Sequence, residues 1–415
     1  VNDATRAGLR IDRHRLLARL DRLAQIGAID GGGCCRLALT DDDRRGRDLV
    51  VGWMRELGLA VTVDAIGNVF GLHPGRESLA PVMTGSHVDT VRTGGRYDGN
   101  YGVLAGLEAV ATLQAAAVRT RRPLVVGFFT NEEGARFAPD MLGSLVYAGG
   151  LPLAEALDAV AIDGARLGDE LARIGYAGEA APGIHRPQAF VELHIEQGPV
   201  LDAERVTIGV VEDLQGISWQ EVTIVGQSNH AGTTPMRLRR DAGYCAAAVA
   251  TFVRALARDM GGSQVGTVGR IELHPNLVNV IAARARLTVD LRNTDEARLR
   301  EAEARLADFL ATLARDEGVA IECRRLARFE PVVFDPGVVS RIETVAAGLG
   351  LSHRRITSGA GHDAQMLARV CPAAMIFVPS VRGISHNPAE HTAADDLAAG
   401  ADVLLHTLLE LAEEG

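Results

Sequence analysis

Lysine is absent: all 43 basic residues of this 415-residue chain are arginines. Chemistry that needs a lysine amine is thereby excluded, both Schiff-base catalysis and lysine-bearing phosphate loops. Cysteine is scarce as well. The five, Cys34, Cys35, Cys245, Cys323 and Cys371, are odd in number and lack zinc-ribbon spacing, which points to reduced thiols in a cytoplasmic protein. The adjacent Cys34-Cys35 reads either as a redox pair or as two ordinary loop residues. No apolar run approaches the roughly 20 residues of a membrane span. The stretch Val1 to Leu20 alternates Arg and Asp with apolar residues, so no export signal is read there. With a net charge of -10, no basic face for nucleic acid is expected, and there is no internal repeat or low-complexity tract. What remains is a folded protein, 47% hydrophobic, with a small-molecule partner.

Against these absences stand five short segments, far apart in the chain, that carry residues able to bind a divalent metal. They are Gly85-Ser86-His87-Val88-Asp89, Tyr97-Asp98-Gly99-Asn100, Asn131-Glu132-Glu133-Gly134, Glu192-Leu193-His194-Ile195-Glu196-Gln197-Gly198 and Ser385-His386-Asn387-Pro388-Ala389-Glu390. Two ions about 3.5 to 4 Å apart need one bridging carboxylate and terminal imidazole or carboxylate ligands on each side. Asp98 is the natural bridge, because each of its oxygens can take one ion. Asp89, two residues after His87, is placed to accept from the imidazole nitrogen that faces away from a metal. Glu132 and Glu133 are neighbours, so in an extended backbone they point to opposite sides; Glu133 is expected as ligand and Glu132 as general base. Gln197 precedes a Gly198-Pro199 turn that could present its amide to a carbonyl or urea group. His386 lies in a turn-forming loop and can close the second ion's shell, with His362 and His391 as rivals for that place. Any one of these motifs alone is weak. Five in one chain read as a two-metal hydrolase site.

The chain is longer than a single core normally supports, which predicts two domains. An amphipathic helix is expected at 43–57. Short apolar runs follow at 59–63, 69–72, 81–86 and 124–130, with a helix at 102–117 before the last; strands alternating with helices predict an α/β sheet covered by helices. His87 and Glu132-Glu133 fall just after strand ends, where open α/β sheets collect ligands. From Ile217 the pattern becomes strand 219–225, helix 240–258, strands 264–274 and 280–292, helix 295–316 and strand 319–326, the split βαβ arrangement. This predicts an inserted domain over residues 214–328, with 1–213 and 329–415 forming the other. In the third of its strands Ala283, Ala285, Leu287, Val289 and Leu291 alternate with Arg284, Arg286, Thr288, Asp290 and Arg292, so one face should be buried.

Those motifs, in that order, resemble the hydantoinase/carbamoylase branch of the M20 peptidase superfamily. The likeness spans nearly the whole chain and extends to Gln227–Met236, Asn276 to Asn279, Asp290-Leu291-Arg292 and 358–364 (Ser-Gly-Ala-Gly-His-Asp-Ala). It implies a dinuclear-metal catalytic domain with a mixed central sheet flanked by helices, plus an inserted ferredoxin-like α+β dimerisation (lid) domain. One ion would be held by His87, Asp98 and His194, the other by Asp98, Glu133 and His386, with Glu132 as base. His230 would reach the partner subunit's site in a homodimer and stabilise an oxyanion. Asn279 and Arg292 would clamp a substrate carboxylate, for which an arginine fork is suited. Gln197 and the backbone of Gly359, Ala360 and Gly361 would read a ureido end. Zinc leads as the expectation for the two divalent ions per subunit; manganese, cobalt and nickel also suit the ligands. The implied reaction is hydrolysis of the carbamoyl C–N bond of an N-carbamoyl-L-amino acid. Allantoate amidohydrolase and β-ureidopropionase are alternatives, and a dipeptidase or aminoacylase a more distant one.

Overall fold

Uninterrupted burial marks the strands at the centre of the larger sheet in the computed structural model, which describes residues 8–414. Of the stretch read above for an export signal, residues 1–7 lie outside the described residues. In chain order the strands are β1 (Ala60–Val63), β2 (Val69–His73), β3 (Val82–His87), β4 (Leu124–Phe129), β5 (Ala189–Ile195), β6 (Ile208–Leu214), β7 (Gly216–Val225), β8 (Val265–His274), β9 (Arg284–Asn293), β10 (Ala320–Phe329), β11 (Val332–Val333), β12 (His353–Ser358) and β13 (Ala373–Val378). Every residue of β3, β4, β5 and β13 is buried. Such near-continuous burial, rather than alternation, is what a strand covered on both faces requires.

Two compact units divide the chain: one runs through Glu212 and resumes at Val333, the other is Asp213–Val332. The first holds a mixed sheet in the order β1-β2-β4-β3-β5-β13-β6-β11, with β12 paired to β6. Within it β4, β3, β5 and β13 are mutually parallel, while β1, β2 and β6 run antiparallel to their neighbours. Helices Asn100–Ala115 and Ala394–Glu413 pack against this sheet and against each other. The helix expected at 43–57 spans Asp41–Glu56. It starts earlier because the Thr40 hydroxyl caps it by accepting the Asp43 N–H at 3.3 Å, and three aspartates place negative charge at its positive end.

The second unit has a four-stranded antiparallel sheet in the order β10-β7-β9-β8. Helices Ala242–Met260 and Glu296–Glu317 lie on one face, each started by an aspartate cap, Asp241 and Asp295. Ala285, Leu287, Val289 and Leu291 of β9 enter the apolar core beside Val249, Val253, Leu306 and Leu310, as the alternation predicts. Truncating one of these, Leu287→Ala for example, would cost about 2–5 kcal/mol. β9 begins at Arg284 rather than at 280, because Val280 pairs instead with His230 in an isolated bridge. No helix among the described residues is long and apolar enough to cross a membrane.

Candidate active site

Parallel pairing sends the C-terminal ends of β3, β4, β5 and β13 to one edge of the sheet, and the chemistry-bearing segments collect there. His87 ends β3, Glu132 and Glu133 follow β4, His194 is next to last in β5, and the loop after β13 carries His386. Asp98 sits just before helix Asn100–Ala115. Its two oxygens face different ways. Oδ1 lies 3.5 Å from His87 Nε2 and 3.2 Å from His194 Nε2, while Oδ2 lies 3.3 Å from His386 Nε2. His386 Nε2 is in turn 3.3 Å from Glu133 Oε2, and His87 Nε2 is 3.4 Å from Glu132 Oε2. The ligand atoms of His87, Asp98 and His194 lie within 4.8 Å of one another, as do those of Asp98, Glu133 and His386, so either trio can hold a metal ion.

Backbone contacts select the ring tautomers. His194 Nδ1 lies 2.8 Å from the Ile195 carbonyl and so carries the proton, while the Gly99 N–H donates to Nε2 at 3.1 Å. His87 Nδ1 likewise faces the carbonyl of Asp89 at 2.9 Å. In both rings Nε2 is thus the nitrogen that faces Asp98 and would serve as the metal ligand. Gly99 permits this approach: its φ is 65°, and a Cβ there would overlap the His87 ring.

Two local expectations need correcting. It is the main-chain carbonyl of Asp89, not its carboxylate, that orients His87. The carboxylate instead accepts the N–H groups of Glu132 and Glu133, at 3.3 and 3.4 Å. Those glutamates do diverge, Glu132 towards His87 and Glu133 towards His386, but not from an extended strand. β4 has ended, and Asn131 turns the chain with φ 56°, held by its amide on the carbonyls of Phe137 and Pro139. A two-residue alternation rule has no purchase on such a turn.

Electrostatics follow from burying so many acids together. Burial, together with Asp363, Glu133 and Glu192 and against the pull of His87, raises Glu132 well above the usual carboxylate range. Burial and then Asp98 push Glu133 up to about 8. Asp98 goes the other way: burial opposes ionisation, but the adjoining imidazoles of His194, His386 and His87 outweigh it and hold the group well below its ordinary value. Hydrogen bonding to Asp98, against burial and with help from Glu133, lifts His386 to about 9. Buried anions meeting imidazole nitrogens, with no apolar option, form a donor set that suits divalent cations.

Gln197 has a left-handed backbone, φ 58°. Its Nε2 donates to Asp98 Oδ2 at 2.9 Å, and its Oε1 is buried without a hydrogen-bond partner. His362 is not beside His386. It packs edge-on against His194 at 4.5 Å between centroids, with Nε2 on the Ser358 hydroxyl at 3.1 Å, and burial keeps it neutral. His391 stands edge-on to Tyr97 at 6.3 Å. Gly359, Ala360 and Gly361 follow β12 and lead to the helix Asp363–Leu367. His230, Asn279 and Arg292 belong to the second unit. There His230 Nδ1 accepts the N–H groups of Gly232 and Thr233, which leaves Nε2–H as a donor. The Asn279 carbonyl accepts from Ala231, and Arg292 pairs with Asp290 over the Trp219 ring.

Three further residues support the site: Glu192 and Glu390, which lie within the quoted segments but have no role assigned from sequence, and Arg36, which lies outside them. Glu192, fully buried, accepts from the Ser86 hydroxyl at 2.6 Å and the Ala364 N–H at 2.7 Å, tying β3 and β5 to the helix at Asp363. Arg36, also fully buried, donates to the Val88 carbonyl and the Asn100 side chain, both at 2.7 Å, and so braces the loops of His87 and Asp98. Glu390 does the same for the Asp98 and His386 loops. For Glu390 its place four residues after His386 was a usable signal; for Arg36 nothing local marks it out.

A family model described as peptidase family M20/M25/M40 matches residues 83–410. The N-carbamoyl-L-amino-acid amidohydrolase of Rhizobium meliloti is 44% identical, over 97% of this chain and 97% of its own. An Arabidopsis thaliana ureidoglycolate hydrolase is 36% identical, over 98% of this chain and 88% of its own. Among solved structures, an amidase of the hydantoinase/carbamoylase family from Burkholderia multivorans superposes with a TM-score of 0.93 at 48% identity, covering 98% of this chain and 99% of that one. With its donor trios gathered at the edge of a mixed sheet, the chain belongs to the metal-dependent M20/M25/M40 peptidase family.

Proposed function

We propose that this protein is a dinuclear metal-dependent amidohydrolase that cleaves the carbamoyl C–N bond of N-carbamoyl-L-amino acids. One water is consumed, and the free amino acid, carbon dioxide and ammonia are released. The observation that carries the reading is the division of Asp98, with one oxygen towards His87 and His194 and the other towards His386. His87, Asp98 and His194 would hold one divalent ion, and Asp98, Glu133 and His386 the other. Zinc fits these ligands first, and manganese, cobalt and nickel after it. Bound there, such a pair supplies a water acidified towards a pKa of about 7 and polarises the scissile carbonyl.

The chain's own residues supply the rest. Glu132 stands beside His87 and outside both donor trios, where it takes the proton of the attacking water and returns it to the leaving nitrogen. Cations held in the centre would offset the burial and the neighbouring acids that raise Glu132. The partnerless Oε1 of Gln197 is an acceptor in need of an N–H, which the carbamoyl end of a ureido acid provides. Gly359, Ala360 and Gly361 would line the same end. Asn279 and Arg292 would bind the substrate carboxylate. His230 Nε2–H would donate to the oxyanion, in the site of a partner subunit, with the second unit as dimerisation domain. Five unpaired cysteines suit a reducing compartment such as the cytoplasm.

Kinetics with N-carbamoyl-L-amino acids, allantoate, ureidoglycolate, 3-ureidopropionate and a dipeptide, each with added zinc, manganese or cobalt, test the assignment. The highest kcat/KM is expected for an N-carbamoyl-L-amino acid. Faster dipeptide cleavage, or no turnover of any ureido acid, would overturn it.

A further inference from the structure

The ligands of the two trios are not equally well anchored. His87 and His194 are held in strands of the sheet, whereas His386 is half exposed on a loop and adopts a left-handed backbone, φ 53°, unfavourable for a residue with a Cβ. Something outside the sheet must hold it. Glu390, only 5% exposed, spans the gap. Its Oε1 accepts the backbone N–H groups of Tyr97 at 3.1 Å and Asp98 at 3.3 Å, and its Oε2 accepts the Ser385 hydroxyl at 3.0 Å. One buried carboxylate thus joins the main chain of the aspartate shared by both trios to the residue preceding His386.

The surroundings are built around that tether. Gly95 packs against the Glu390 carboxyl so closely that a Cβ there would overlap it. The Thr93 hydroxyl donates to the His386 carbonyl at 3.3 Å, and Ser385 Oγ also lies 3.4 Å from Asp98 Oδ2. Ser385 and Thr93 make their contacts with the His386 loop and with the Asp98 oxygen that faces it. None reaches His87 or His194, which have backbone partners of their own.

We propose that Glu390 is a positioning residue that sets the affinity of the ion held by Asp98, Glu133 and His386, and leaves the ion held by His87, Asp98 and His194 little changed. The proposal rests on the two-ion reading above. Removing a carboxylate that orients ligands in this way typically weakens metal binding about 10–100-fold.

Zinc is titrated calorimetrically, with a competing chelator, into chelator-stripped wild type, Glu390→Gln and Ser385→Ala. Metal content after dialysis and the melting temperature of the stripped proteins are measured alongside. Wild type should bind two ions. Glu390→Gln should bind one with wild-type affinity and the other at least tenfold more weakly, and Ser385→Ala should weaken the same ion to a smaller degree. Equal weakening of both ions, or wild-type affinity for both, overturns the proposal. If Glu390→Gln does not fold, Ser385→Ala decides by the same criterion. A wild type that takes up fewer than two ions removes the two-ion reading itself, and the proposal with it.

Discussion

Replacing Glu132 with glutamine exchanges a carboxylate for an amide of the same shape and removes its ability to accept a proton. The residue is 7% exposed, and its backbone N–H to Asp89 does not depend on the side chain, so the fold should be untouched. Glu132 lies outside both donor trios, so both ions should stay. What is lost is proton transfer in the attack and in the departure of the amine. That step is worth about 10²–10⁴ in rate, or about 3–5.5 kcal/mol of barrier at about 1.4 kcal/mol per decade. Ammonia release from a saturating N-carbamoyl-L-amino acid gives kcat, and metal analysis of the same sample gives occupancy. A kcat within tenfold of wild type would refute the role of Glu132 as base. Loss of an ion would show instead that Glu132 is a ligand.

Asp98→Ala should hold neither ion at wild-type affinity, since both trios share it; metal analysis after gel filtration would show this, and retention of both ions would contradict it. Arg292→Ala should raise KM for a carboxylate-bearing substrate while kcat changes little, because an anchor that binds substrate and transition state alike acts on KM; an unchanged KM would remove it from the substrate site. Glu221 is held at about 2, against an ordinary 4.5, by hydrogen bonds from Arg286 and Arg324. A lowered acid stabilises the fold fully above its unfolded value and loses that contribution as pH falls through the folded one. The difference in melting temperature between wild type and Glu221→Gln should therefore be constant above a pH of about 4.5 and shrink below it; a difference independent of pH would contradict this assignment.

What the sequence made legible is the chemistry placed at strand ends. Imidazoles and carboxylates beside apolar runs announce both a strand and what its end can do, and His87, Glu133 and His194 do arrive at one edge of the sheet. The rest depended on which atom a residue uses and on distant packing. In sequence Asp89 looks like a carboxylate partner for His87, but in so tight a bend its carbonyl is the nearer acceptor, and the side chain is free for the Glu132-Glu133 turn. No periodicity distinguishes those two uses. His386, His362 and His391 are inseparable in sequence for a related reason: each follows or lies within a loop, and which imidazole meets Asp98 depends on the tertiary course of the segment after β13. Arg36 and Glu192 show the limit most plainly. A buried arginine bonded to carbonyls and a buried glutamate bonded to a hydroxyl across neighbouring strands look, in sequence, like any other solvated charge.

The proposed function stands on Asp98 sharing its carboxylate between two ions. Anomalous diffraction from crystals grown with zinc tests this directly. Two peaks about 3.5–4 Å apart are expected, one next to Asp98 Oδ1 with His87 and His194 and the other next to Oδ2 with Glu133 and His386. A single peak, or two peaks that do not share Asp98, would contradict it.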